Sequence, residues 1–224
     1  MKLLDRGCEF DEATHAYSMN GYVVPSVTRI IDHAGLTSYE MVRKEILERK
    51  STIGVLVHLA TKFYDRGTLD WDSLDNYTRG RTEAWAQFRR ETGFEPRIIE
   101  EPFIASINGM TYGMTVDREG LMAGRPSIIE IKTTTNIAPW FGIQTAGYAL
   151  GVPDPSTGSG AKATPRTLFA RRRRMVVQLF EDGHYMKRDF NDPQDAEIFI
   201  SSLHVTSWKL ANGAKLRTIQ EEAA

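Results

Sequence analysis

The sequence predicts one α/β domain: a central mixed β-sheet flanked by helices, preceded by an N-terminal hairpin and a helical region. Three observations predict it. Three β-rich runs follow one another between Arg97 and Thr135, separated by turn residues. The apolar spacing before and after them changes to the helical period. A helix-spaced segment, 139–150, parts the third β-rich run from a later pair, an alternation that places helices on both faces of a sheet.

Bulk properties set the frame. The chain has 224 residues, 41% hydrophobic and 25% charged, enough for one sizeable core. No apolar run approaches the roughly 20 residues that span a bilayer, and MKLLDRGCEF lacks the apolar region of a secretory signal. A cytoplasmic protein without membrane attachment is the expectation. Cys8 is the single cysteine, so no intrachain disulfide and no cysteine-ligated zinc or iron–sulfur cluster can be built from this chain. Cys8 itself reads as a buried strand thiol. The net charge of −1 argues against broad electrostatic coating of nucleic acid and leaves a local groove open.

The elements follow in order. FDEATHAYSMNGYVVP (9–24) alternates apolar and polar residues around Asn20-Gly21, a hairpin signal. In SVTRIIDHAG, Ser26 is a helix N-cap and Gly35 the stop. Residues 38–50, 52–66 and 77–91 carry helical spacing, the last ended near Gly93. Then come the strands RIIEEPFIAS, MTYGMTVDREG and AGRPSIIEIKTTT, the helix PWFGIQTAGYAL, and a mobile loop over 151–166 rich in Gly, Pro, Ser and Thr. Thr167–Leu179 and His184–Phe190 form a second hairpin across Glu181-Asp182-Gly183, and Asp192 caps a last helix to about Leu210. The domain divides into a hairpin with a helical region (1–95), a core (96–150), the loop, and closing strands with a helix (167–224).

The chemistry concentrates in PSIIEIKTTT. Residues two apart on a strand share a face, so Glu130 and Lys132 lie side by side, while Ile128, Ile129 and Ile131 indicate that both faces are covered. A buried carboxylate needs a partner: either the two pair with each other, or a divalent ion sits beside Glu130. Asp117 ends the preceding strand, where it can approach Glu130. Two convergent carboxylates suit a hard cation such as Mg²⁺, and a lysine beside its hydration shell can orient water or stabilise charge on a phosphorane-like transition state. On helices, Gly54 and His58 stand four apart, as do Gln144 and Tyr148, each pair on one face.

Other readings of these residues stay open. His58 also fits a structural histidine, Glu130 and Lys132 a surface ion pair, and Arg118 a partner for the Asp117 carboxylate. Gln144 and Tyr148 also fit simple packing. RRRR (171–174) is the only dense basic run; strand alternation puts Arg171 and Arg173 on one face and Arg172 and Arg174 on the other, which suits a DNA groove or a solvated edge strand. TGSGAK lacks P-loop spacing. Tyr22, Tyr39, Trp140 and Phe141 lie near these segments and are available for stacking on unpaired bases or for the core.

Gly54-x3-His58, Glu101 opening a strand, Asp117 ending one, Glu130-x-Lys132 and Gln144-x3-Tyr148, in this order, resemble the PD-(D/E)XK nucleases. The resemblance is to their RecB-like branch, and VVPSVTRIID is similar to the part of it that includes the mitochondrial genome maintenance exonuclease and phage-encoded exonucleases. The resemblance implies a restriction-endonuclease-like core and a metal-dependent deoxyribonuclease. His58, Asp117, Glu130 and the Ile131 carbonyl would ligate Mg²⁺ or Mn²⁺, and Lys132 would be the catalytic lysine. Glu101 would orient the site, with Glu100 as its rival, and Gln144 and Tyr148 would hold the DNA backbone or brace the strand. Ser26 and Thr28 would lie near the DNA path, with Arg171 and Arg173 as further contacts. The implied activity is exonucleolytic, on DNA ends or single strands, in DNA recombination or repair. A phage origin would bring host cytoplasm as the location and a single-strand annealing protein as partner. A structure-specific or restriction-like endonuclease, and a non-catalytic DNA-binding module retaining the fold, are the alternatives. The family's small residue three before the aspartate is replaced by Met114, with Gly113 one earlier.

Overall fold

The computed structural model describes residues 2–4, 8–37, 44–153 and 164–213. It is a mixed α/β structure in which a five-stranded mixed sheet is flanked by helices and accompanied by a four-stranded antiparallel sheet. The smaller sheet is a meander of β1 (Lys2–Leu4), β2 (Cys8–Asp11), β3 (Ala16–Met19) and β4 (Tyr22–Val24). Asn20 and Gly21 both take positive φ, 52° and 81°, as a two-residue hairpin turn matched to strand twist requires. Met19 accordingly pairs with Tyr22 across it. The expected hairpin is therefore the last part of a longer meander.

Ser26 starts α1 (Val27–His33), its hydroxyl accepting the Arg29 amide at 3.2 Å. The helices expected over 38–50 and 52–66 are one helix, α2 (Lys44–Asp65), within the described residues; 38–43 lie outside them. α3 (Asn76–Thr92) is capped by Asp75, which accepts the Thr78 amide at 2.7 Å, and ends at Gly93 in the left-handed conformation.

The main sheet runs β5 (Glu95–Ile107), β6 (Met110–Met122), β7 (Arg125–Lys132), β8 (Arg173–Leu179), β9 (Tyr185–Asp189) in that spatial order. Only β7 and β8 are parallel. A parallel pair needs a crossover, and α4 (Trp140–Gly151) and α5 (Pro165–Arg171) lie within it. α6 (Gln194–Ala211) closes the chain, with Asp192 accepting the Gln194 amide at 2.8 Å. No described helix is long and apolar enough to cross a membrane.

Two apolar clusters cover the two faces of the sheet. Ile128 joins residues of α1, α4 and α6, including Ile30, Ala149 and Phe199. Ile129 and Ile131 join Val57 of α2 and Trp85 and Phe88 of α3. Each fully buried isoleucine stabilises by about 2 kcal/mol over an exposed one, and this holds β7 in place although burial opposes the charge of Glu130.

Two expectations need correction. The strand expected from Thr167 starts only at Arg173, because Thr164 caps a helix there, accepting the Thr167 amide at 3.2 Å with Pro165 at its first position. The loop expected over 151–166 lies mostly outside the described residues, and its ends belong to α4 and α5. The arginine run is consequently not a regular strand. Arg172 and Arg174 are buried. Arg172 donates to the carbonyls of Ala149, Val152 and Pro153 at 2.7–3.0 Å, which satisfies the end of α4. Arg174 donates to the carbonyls of Gly142 and Asp192 and to the Asp195 carboxylate at 2.8–2.9 Å.

Candidate active site

α2 crosses the main sheet so that His58 meets β5 and β6. His58 Nδ1 lies 3.3 Å from Glu100 Oε1 and 3.6 Å from Asp117 Oδ1. Burial works against a charged imidazole, but the Asp117 charge and the Glu100 carboxylate outweigh it and hold the His58 pKa above its usual value. Lys62, one turn along α2, adds its ammonium 3.3 Å from Glu100 Oε2. Glu100, not Glu101, is the β5 carboxylate at this place, and Glu101 is exposed. Glu100 takes φ 48°, a left-handed conformation uncommon outside glycine, and this interrupts the alternation from which a face is read.

Asp117 lies next to β7. Its Oδ2 accepts the Ile131 amide at 2.7 Å, so the carboxylate bridges the strands beside Glu130. Arg118 leaves that carboxylate alone; it donates to the Asp117 carbonyl instead. Glu130 is buried. Its Oε1 accepts from Lys132 Nζ at 2.6 Å and from Gln144 Nε2 at 2.9 Å, while its Oε2 is buried with no hydrogen-bond partner. Burial, then the nearby charge of Asp117, push the Glu130 acid up to about 7 despite Lys132. Gln144 Nε2 also donates to the Tyr148 hydroxyl at 2.8 Å. Burial, followed by the charges of Glu130 and Asp117, keeps that phenol protonated far above its usual range. Lys132 Nζ sits 4.9 Å from the Phe141 ring centroid, a cation–π contact that limits where the amine can swing.

Among the described residues, no three His, Cys, Asp or Glu side chains form a group able to hold a metal ion. The donor chemistry at Asp117 and Glu130 nonetheless fits a hard divalent cation. Two carboxylates stand close enough for one to raise the other's pKa, and a buried oxygen of Glu130 accepts no hydrogen bond.

The remaining sequence candidates are placed as follows. Ile131 is fully buried. Ser26 is engaged as the α1 cap, and its backbone bridges to Gly113 on β6; Thr28 is half-buried. Arg171 is exposed at the end of α5 and Arg173 is half-buried. A Cβ on Gly54 would meet only the Thr133 hydroxyl, at 3.8 Å, so α2 passes the end of β7 without needing that glycine. Trp140 and Phe141 are buried and Tyr22 is exposed; Tyr39 lies outside the described residues. A groove of 620 Å³ between α1 and α6, lined by Leu36, Ile198 and Val205, shares none of the site residues.

No family model matches the chain, and no curated relative does. Solved structures similar to it include exonucleases. A candidate exonuclease from Eubacterium rectale shows 13% identity over 86% of this chain and 82% of its own, with a TM-score of 0.48. The alkaline exonuclease LHK-Exo of Laribacter hongkongensis shows 18% identity over 85% of this chain and 93% of its own, with a TM-score of 0.30. It has also been solved in complex with dAMP. The overlap at these TM-scores is partial, and the chemistry of the site rests on its own geometry.

Two residues of the site carry no motif. The side chains of Arg118 and Asp65 are fully buried and paired, Arg118 Nε to Asp65 Oδ2 at 2.5 Å. Asp65 stands seven residues after His58, a spacing that puts both near one side of α2. That periodicity was the available signal.

Proposed function

We propose that this chain is a metal-dependent deoxyribonuclease of the PD-(D/E)XK type that hydrolyses phosphodiester bonds at DNA ends. The observation that carries the reading is Glu130: a buried carboxylate beside Asp117, with one oxygen bound to Lys132 at 2.6 Å and the other unpartnered. A structural ion pair explains the first oxygen and leaves the second unexplained. Asp117 and Glu130 would hold Mg²⁺ or Mn²⁺, and His58, its Nδ1 3.6 Å from Asp117 Oδ1, would steady that carboxylate. Such an ion, when bound, polarises the phosphate and acidifies water.

The other side chains act around it. Lys132 presents a cation, confined by Phe141, that can orient the attacking water and stabilise negative charge building on the phosphate. Gln144 donates to the same Glu130 oxygen as Lys132 and is itself held by Tyr148, so that the β7 carboxylate keeps its rotamer as charge redistributes. Recombination or repair is the setting that suits digestion of DNA ends.

The test uses end-labelled linear DNA and circular DNA, single-stranded and duplex, with Mg²⁺, Mn²⁺ or EDTA. Digestion of linear but not circular DNA, abolished by EDTA and by Lys132→Ala, is expected. Cutting of circles would replace the exonuclease with an endonuclease. Binding without cutting in every metal would overturn the nuclease reading.

A further inference from the structure

We propose, resting on the nuclease reading, that Arg118 is a positioning residue that sets the spacing between His58 on α2 and Asp117 on β6. Its guanidinium makes three hydrogen bonds, and its Nη1 also lies 3.6 Å from Glu100 Oε1. Nε meets Asp65 Oδ2 at 2.5 Å, Nη2 meets Thr61 Oγ1 at 3.0 Å, and Nη1 meets the Asp117 carbonyl at 2.6 Å. The Thr61 hydroxyl in turn donates to the His58 carbonyl at 3.0 Å. A continuous hydrogen-bonded bridge therefore runs from the backbone of His58, through Thr61 and Arg118, to the backbone of Asp117.

The bridge is itself anchored. Asp65 Oδ1 accepts from Trp85 Nε1 at 2.9 Å and from Arg89 Nη1 at 2.8 Å, both on α3. The Arg118 guanidinium lies over the Trp85 ring, 5.5 Å from its centroid. Arg118 and Asp65 have no exposed side-chain surface, so the fork cannot swing into solvent. A pair that only stabilised the fold would need the Asp65 contact alone. The other two branches lead to the two residues whose separation the site depends on. Lysine, a point donor, cannot reproduce a planar fork.

The experiment compares Arg118→Lys and Thr61→Val, each alone and combined with His58→Ala, in the full chain. Folding is checked by thermal melting, Mn²⁺ binding by calorimetry without DNA, and cleavage on end-labelled DNA. In the wild-type background Mn²⁺ affinity and kcat should each fall about tenfold, as loss of an outer support does at metal sites, with KM unchanged. In the His58→Ala background the same changes should cost less than about twofold, because coupled residues are non-additive. Equal losses in both backgrounds, or no loss, overturn the proposal.

Thr61→Val carries the test if Arg118→Lys does not fold. Should wild-type protein neither bind Mn²⁺ nor cut DNA, the nuclease reading fails by itself. Crystal structures then decide the positioning role: a His58–Asp117 separation wider in Thr61→Val than in wild type supports it, and an unchanged one overturns it.

Discussion

Lys132 meets the Glu130 carboxylate at 2.6 Å and the Phe141 ring, and that arrangement separates two kinds of loss. Lys132→Ala removes the cation but leaves both carboxylates. It should keep Mn²⁺ binding and lose about 10²–10⁴-fold in cleavage rate, as single-turnover kinetics beside calorimetry would show. Asp117→Ala should lose both together. The same residues make the metal-free protein sensitive to pH. Glu130 is raised to about 7, so folded protein holds a proton that unfolded chain releases near 4.5, and stability falls as pH rises between those values. His58, also raised, contributes stability below its ordinary 6.5 that is lost as pH passes its folded value. The melting temperature in EDTA should therefore fall from pH 5 to pH 8. Saturating Mg²⁺ should lessen the fall, because a bound cation favours the ionised carboxylate. A flat profile in EDTA would contradict the burial of Glu130's charge.

At the scale of elements, the small sheet meets β6 at Gly113 and Thr115. Gly113 N–H donates to the Pro25 carbonyl at 2.9 Å, and the Tyr17 and Thr115 hydroxyls meet at 2.5 Å. A Cβ on Gly113 would come within 2.2 Å of the Tyr17 ring. Gly113→Ala should cost about 1–3 kcal/mol through overpacking, measurable by urea denaturation, while Met114→Leu should cost less than about 1.5 kcal/mol because its volume is kept. Gly113, one residue before Met114, is the small residue that this close approach requires. Asp65→Ala leaves Arg118 buried without its carboxylate and should cost about 3–5 kcal/mol.

Much of this was legible in the sequence. Asn20-Gly21, the cap Ser26, the stop at Gly93 and the apolar runs of β5 to β7 announce themselves by local chemistry. What was hidden depends on tertiary partners. Thr167–Arg171 reads as strand by its neighbours and folds as helix because Thr164 and Pro165 start one. Glu100 displaces Glu101 because a left-handed residue inside a strand shifts the side-chain register. Asp65 and Arg118 belong to segments 53 residues apart, and no local pattern joins them.

For the whole molecule, charge is close to balanced, and two lysines at the site already face carboxylates. Net charge is −1, Lys62 faces Glu100, and Lys132 faces Glu130. Binding to duplex ends should then depend on salt with a shallow slope of about −3, roughly three phosphate contacts at about 0.9 each, measured by fluorescence anisotropy in Ca²⁺ from 50 to about 200 mM salt. A slope near −10 would point to an extended basic surface instead. The four consecutive arginines bear directly on how such an experiment is designed. Replacing all of them, the obvious way to ask whether a basic run grips DNA, would remove the donors that satisfy the end of α4 and the approach to α6. Weakened binding in that variant would report an unravelled crossover between β7 and β8, not a missing phosphate contact. Exchanging Arg171 and Arg173 alone leaves the buried donors of Arg172 and Arg174 in place.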